Sequence, residues 1–171
     1  MLDYSSMSLL IVDDEKRLRD AIKRLFRKTE SDILTAANGK EALQLLQNNT
    51  PSTIIIDYKM PEMNGLEFIK AAKIVKPNVP IIILTAYGSQ ENATLFLKEG
   101  AYAYLEKPFD MEELFLVVQK AQQHYVTLNE NKKLNDIIDI QNSEVPDQVI
   151  GQSPVMKELY FLINRVATTN A

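Results

Sequence analysis

Three short runs dominated by isoleucine, leucine and valine, Ser8–Val12, Thr53–Ile56 and Ile81–Leu84, limit what this 171-residue chain can become. None alternates with polar residues, so each is expected to be a strand covered on both faces, as in a parallel sheet. Tyr102–Leu105 reads as a further strand, and the weaker run Asp32–Ala37 as an edge strand. Between them, apolar residues recur at helical spacing: Leu18, Ile22, Leu25 and Phe26; Ala42, Leu45 and Leu46; Leu66, Ile69 and Ala72; Ala93, Leu95, Phe96 and Leu97. Asn38-Gly39, Pro61 with Asn64-Gly65, Lys76-Pro77 and Gly100 punctuate the segments as turn signals. Strands alternating with helices in this way predict an α/β domain with a right-handed, doubly wound, five-stranded parallel sheet.

The polar residues that end the strands are the chemically informative ones. Asp13 and Asp14 follow the first run, Asp57 the third, Thr85 the fourth, and Lys107-Pro108 come just after the last. Ligand sites in open α/β sheets lie beyond the carboxyl ends of the strands, so these residues are expected to converge. Ionised carboxylates about 5 Å apart repel by roughly 3 kcal/mol at an effective dielectric near 20. A divalent cation would relieve that cost, and an all-oxygen ligand set suits magnesium. Asp57, an anion at neutral pH, needs no base to attack phosphorus. Lys107 and Thr85 would then neutralise and orient the phosphoryl oxygens.

Together, Asp13-Asp14, Asp57 with Met60-Pro61 and Gly65, Leu84-Thr85-Ala86 and Lys107-Pro108-Phe109 resemble the receiver domain of two-component response regulators. The resemblance implies a flavodoxin-like (βα)5 fold and makes Asp57 the phosphoacceptor for a histidine kinase. It further implies that Asp14 and Asp57 ligate magnesium directly, Asp13 through water, and that the Lys59 backbone carbonyl completes the protein ligands. Lys107 would contact the phosphoryl group, across a cis Lys107–Pro108 bond. Thr85 and Tyr104 would be the switch residues, Tyr104 swinging inward as Thr85 moves toward the phosphoryl oxygen; the alternative is an ordinary tyrosine at a strand end. Lys59 and Tyr87 either flank the hydrolytic water and slow autodephosphorylation or are plain loop residues. Two other classes stay open beside the switch: an aspartyl-nucleophile phosphatase and a phosphorylation-independent binding module.

From Met111 to Val145 there is neither glycine nor proline, longer than a closing helix needs. Asp110 with Glu113 reads as a capping box, and Leu114, Val117, Ala121, Leu128 and Ile138 as an apolar seam, which predicts an extended linker helix that dimerises, or one that frays after residue 128. His124, the one histidine, has no partners at ligand spacing. Gly151-Gln152-Ser153-Pro154 and Arg165-Val166-Ala167 resemble the opening of the AAA+ domain of sigma-54-dependent activators, the NtrC class. The expected organisation is a receiver at 1–122, a helical linker at 123–147 and the truncated start of an AAA+ domain at 148–171. No glycine fits a phosphate-binding Walker loop, so no ATPase activity is expected. Sigma-54 polymerase and DNA would be reached only through absent domains. A net charge of -4 gives no overall nucleic-acid footprint; with no cysteine, no signal peptide and no membrane span, a cytoplasmic location is expected.

Overall fold

The computed structural model describes residues 8–29, 32–86 and 90–142. Five strands, β1 (Ser8–Val12), β2 (Asp32–Ala36), β3 (Thr53–Asp57), β4 (Ile81–Thr85) and β5 (Ala103–Glu106), alternate with α1 (Lys16–Phe26), α2 (Gly39–Asn48), α3 (Gly65–Val75), α4 (Gln90–Lys98) and α5 (Met111–Asn142). All strand pairs are parallel, in the order β2-β1-β3-β4-β5. β2 is an edge, as its weaker apolar pattern predicts. The strand order reverses between β1 and β3, the place where a doubly wound sheet opens a crevice.

Strand side chains alternate between two cores. Leu10, Val12, Ile54, Ile56, Ile81 and Ile83 meet Ala42, Leu46, Phe68, Ile69, Ala72 and Phe96 of α2, α3 and α4. Leu9, Ile11, Ile55, Ile82 and Leu84 meet Ile22, Phe26, Leu114, Val118 and Ala121 of α1 and α5. Burying each large aliphatic side chain contributes about 1.5–3 kcal/mol, so the central strands anchor whatever their ends carry.

Several expectations change on inspection. Leu95 and Leu97 are exposed, because among the described side chains of α4 it is Ala93 and Phe96 that are buried. The turn signals Asn38-Gly39 and Asn64-Gly65 are helix starts. Asn38 accepts from the Glu41 amide, while Asn64 and Glu67 form a reciprocal capping box. At α5, Asp110 accepts instead from the Glu112 amide, 2.9 Å away. Of the apolar seam on α5, Leu114 and Ala121 are wholly buried in the receiver core and Val117 packs against it. Leu128 is the exposed member among the described residues, and Ile138 lies outside the described side chains. Cα packing divides the chain into a unit ending at Lys132 and a second beginning at Lys133. Residues 143–171, with the AAA+-like segment, lie outside the described residues, as does Tyr87. Among the described residues no helix is long and apolar enough to cross a membrane.

Gly65 shows how tightly the β3–α3 connection is drawn. A Cβ there would lie 3.0 Å from the Tyr58 Cα and 3.2 Å from the Asp57 carbonyl oxygen, both backbone atoms that cannot swing aside. Gly65→Ala is therefore expected to cost about 1–2 kcal/mol, read as a lower urea midpoint at unchanged slope; an unchanged midpoint would contradict the packing.

Candidate functional site

Each site residue is delivered by the end of a buried strand. Asp13 follows β1, whose last four residues are buried, and is itself 1% exposed. Asp57 and Thr85 are the last residues of β3 and β4, which are buried along their full length. Lys107 follows β5, and the Lys107–Pro108 bond is cis. The Lys107 backbone amide donates to the Thr85 carbonyl at 2.7 Å, which ties the two strand ends together.

Lys107 joins the carboxylates. Its ammonium lies 2.6 Å from Asp57 Oδ1 and 3.3 Å from Asp13 Oδ2. The remaining oxygens are also held, since the Lys59 amide donates to Asp57 Oδ2 at 3.0 Å and the Glu15 amide to Asp13 Oδ1 at 2.7 Å. Asp57 thus presents a carboxylate fixed on both oxygens at the mouth of the site.

Three of the predicted residues, Asp13, Asp57 and Lys107, are in direct contact, and Thr85 adjoins them through the backbone. Asp14 is exposed, and among the described residues no group of three or more Asp, Glu, His or Cys side chains is gathered as a metal cluster. The two carboxylates in contact with Lys107 are those of Asp13 and Asp57. The ammonium of Lys107 occupies the space between them and offsets their repulsion without a third acid. The donor chemistry still suits a hard cation, because two oxygen-ligand anions share one cation and keep a net negative charge.

Tyr104 is partly buried, its ring 6.3 Å from that of Phe96, which in turn lies 5.0 Å from Tyr58 beside the acceptor. One residue escaped sequence reasoning: Arg19, whose Nη1 donates to the Asp13 carbonyl at 2.6 Å. An arginine six residues on, within α1, matches no motif spacing that would single it out. His124 is exposed, its ring against that of Tyr102.

The electrostatics favour chemistry at Asp57. Burial pushes its carboxyl above the ordinary 3.8, with the Asp13 charge adding to the rise; the hydrogen bond and charge of Lys107 and the Lys59 amide only partly oppose it. For Lys107 burial acts downward, but its hydrogen bond to Asp57 and the charges of Asp13 and Asp57 outweigh that and raise it above the ordinary 10.5. The charged Asp57 is thus under-solvated and held by a single ammonium.

Comparison with known proteins agrees with this arrangement. The response regulator receiver domain family matches residues 9–119. The transcriptional regulator NtrC of Escherichia coli K12 is 30% identical over 160 residues, 94% of this chain and 33% of NtrC. The regulatory protein AtoC of the same strain is 32% identical over 163 residues, 95% of this chain and 35% of AtoC. The chain spans about a third of the length of these relatives. Among solved structures, the receiver domain of the Francisella response regulator 1452 superposes with a TM-score of 0.65 at 36% identity, covering 69% of this chain and 98% of that one. NtrX of Brucella abortus gives a TM-score of 0.70 at 26% identity, covering 97% of this chain and 35% of that one.

A 13C-detected titration is expected to place the Asp57 midpoint above 3.8, and Lys107→Met to move it higher; a midpoint at or below 3.8 would contradict the desolvation argument. The sign for stability follows. A carboxyl raised in the fold contributes fully only in acid, below 3.8, and that contribution is lost as pH rises through the raised folded value. Lys107, raised as a base, contributes fully below 10.5 and loses that contribution only at higher pH. Relative to the parent, Asp57→Asn should therefore gain stability as pH rises above 3.8, measured by urea unfolding.

Proposed function

We propose, from the premise that this chain belongs to the response regulator receiver family, that Asp57 is the phosphoacceptor of a phosphorylation switch in an NtrC-class, sigma-54-dependent transcriptional activator. The observation that carries this reading is the contact of Lys107 with both Asp57 and Asp13 at the carboxyl edge of the sheet. In the transfer, a carboxylate oxygen of Asp57 attacks phosphorus in line. The P–N bond of a donor phosphohistidine breaks, and its electron pair leaves on the imidazole nitrogen, which then takes a proton.

The residues divide this work. Lys107, already bonded to Asp57 Oδ1, follows the developing charge onto a phosphoryl oxygen. The Lys59 amide keeps the acceptor oriented through Oδ2. Thr85, buried at the end of β4, would turn its hydroxyl to the phosphoryl group, and Tyr104 would repack against Phe96 in response. Asp13, Asp14, Asp57 and the Lys59 carbonyl would hold magnesium, which supplies charge neutralisation at the phosphoryl oxygens when bound. Of the lifetime pair, Lys59 is an exposed residue of the β3–α3 loop, where its bulk would slow autodephosphorylation.

In the proposed organisation, residues 1–122 are the receiver, 123–147 a linker, and 148–171 the start of an AAA+ domain. The partners are a histidine kinase and a second copy joined through the part of α5 not used by the core, where Leu128 is exposed. Sigma-54 polymerase, DNA and ATP hydrolysis belong to segments outside this chain, and the setting is the cytoplasm.

Incubation with magnesium and acetyl phosphate is expected to add one phosphoryl group by intact mass. Chelation should slow labelling by at least about tenfold, and Asp57→Asn should abolish it. Donor turnover without an adduct would instead indicate a phosphatase, and no change a binding module.

A further inference from the structure

Lys73, in the last turn of α3, is a half-buried cation that the phosphoacceptor reading leaves unused. Its ammonium donates to two backbone carbonyls of the α3–β4 connection, Pro77 at 3.1 Å and Val79 at 2.8 Å. Its stem runs past Gly100, the residue of positive φ (100°) that follows α4. A Cβ placed on Gly100 would have Lys73 Cε, Cγ and Cδ as its nearest heavy atoms, at 3.5, 3.6 and 3.9 Å. The side chain thus lies between the connections that lead into β4 and β5.

What distinguishes this lysine is the neutrality of what it touches. Lys40, Lys70 and Lys107 each pair with a carboxylate, whereas Lys73 forms no ion pair among the described residues. A carboxylate holds the proton on a desolvated ammonium, and a carbonyl dipole does so far less. Burial accordingly pushes Lys73 below the ordinary 10.5, the reverse of the outcome at Lys107. The geometry also tolerates the neutral amine. An ammonium has three N–H groups and the carbonyls use two, so loss of the third proton keeps both hydrogen bonds and turns a lone pair away from them. Such an amine is a nucleophile toward an activated acyl carbon.

The neighbouring charges indicate the donor. Lys70 is matched by Glu99 at 3.4 Å. Lys76, three residues beyond Lys73, donates to the neutral Thr50 hydroxyl at 2.7 Å and has no anionic partner among the described residues. The surroundings therefore hold a surplus cation, which suits an acyl donor whose leaving group is an anion. Over Gly100 the three nearest heavy atoms all belong to the Lys73 stem, which leaves space for the methyl of a short acyl group.

We propose that Lys73 is an acylation site for small acyl phosphates such as acetyl phosphate. The amine nitrogen attacks the carbonyl carbon and a C–N bond forms. The C–O bond to phosphate breaks, its electron pair leaves on the phosphate oxygen, and one amine proton passes to that phosphate. The resulting amide has no charge and keeps one N–H for two carbonyls, so modification loosens the α3–β4 connection. The reaction is independent of Asp57, which meets the same donor at phosphorus rather than carbon.

The test incubates the full chain with acetyl phosphate, without magnesium, and follows acetyl occupancy of each lysine by peptide mass spectrometry. A cooperative urea transition establishes that the chain is folded. Lys73 is expected to acetylate at least about threefold faster than the exposed Lys23, Lys98 and Lys120, and the preference should vanish in denaturing urea. Lys76→Gln should slow acetylation of Lys73 by about twofold or more. The acetylated chain should unfold at a lower urea midpoint than the parent, and Lys73→Arg should abolish that effect of the reagent. Acetylation of Lys73 no faster than that of the exposed lysines would overturn the proposal. So would a preference that persists in urea, because it would then come from local sequence. Preference for Lys73 with an acetyl thioester but not with acetyl phosphate would assign a different donor and reject the proposal as well. None of these results bears on Asp57, whose labelling is a phosphoryl and not an acetyl adduct.

Discussion

The ammonium of Lys107, 2.6 Å from one buried carboxylate and 3.3 Å from another, is the interaction on which the arrangement depends. Three strands that are distant in sequence present like charges and one cation at a single edge. Removing the cation would leave Asp13 and Asp57 facing each other with little water to screen them. Breaking such a buried pair costs roughly 3–5 kcal/mol, and the partial exposure of Lys107, 27% of its side chain, puts this case toward the low end. The site is not a source of stability. Burial raises Asp57, so the fold holds that carboxylate against a desolvation penalty that the two apolar cores must offset.

This is why the sheet and the site cannot be separated. Ile55, Ile56, Ile83 and Leu84 are fully buried and pack on both faces, which leaves the ends of β3 and β4 little freedom. Gly65 brings the next helix against the acceptor's own carbonyl, and the Lys107 amide closes β5 onto Thr85. From this rigid edge the rings of Tyr58, Phe96 and Tyr104 lead toward α4 and β5. A new charge at Asp57 would therefore act on a packed aromatic row beside it, a short physical path from chemistry to surface.

Much of this was legible in the residues themselves. Unalternating Ile and Leu runs read as strands buried on both faces, and the polar residue at each strand end then had one edge of the sheet to occupy. Asp13, Asp57, Thr85 and Lys107 were readable for that reason. Asp14, one residue further along the chain, is exposed. Arg19 and the amides of Glu15 and Lys59 were invisible because backbone hydrogen bonds leave no side-chain pattern. The apolar seam of α5 misled in part: the 3.6-residue period that suits a partner helix also suits the receiver core, and Leu114 and Ala121 go to the core. Similarly, Asn-Gly pairs signal turns and helix caps alike, and only the Glu three residues after each Asn, Glu41 and Glu67, separates the two.

The central claim concerns one carboxylate. Labelling the chain with a phosphodonor, reducing the acyl phosphate with borohydride and mapping the product by tandem mass spectrometry reads the modified residue directly. Homoserine at position 57 and nowhere else is the expected result. Homoserine at Asp13 or Asp14, or a phosphoryl group that resists reduction because it sits on a hydroxyl such as that of Thr85, would contradict the account.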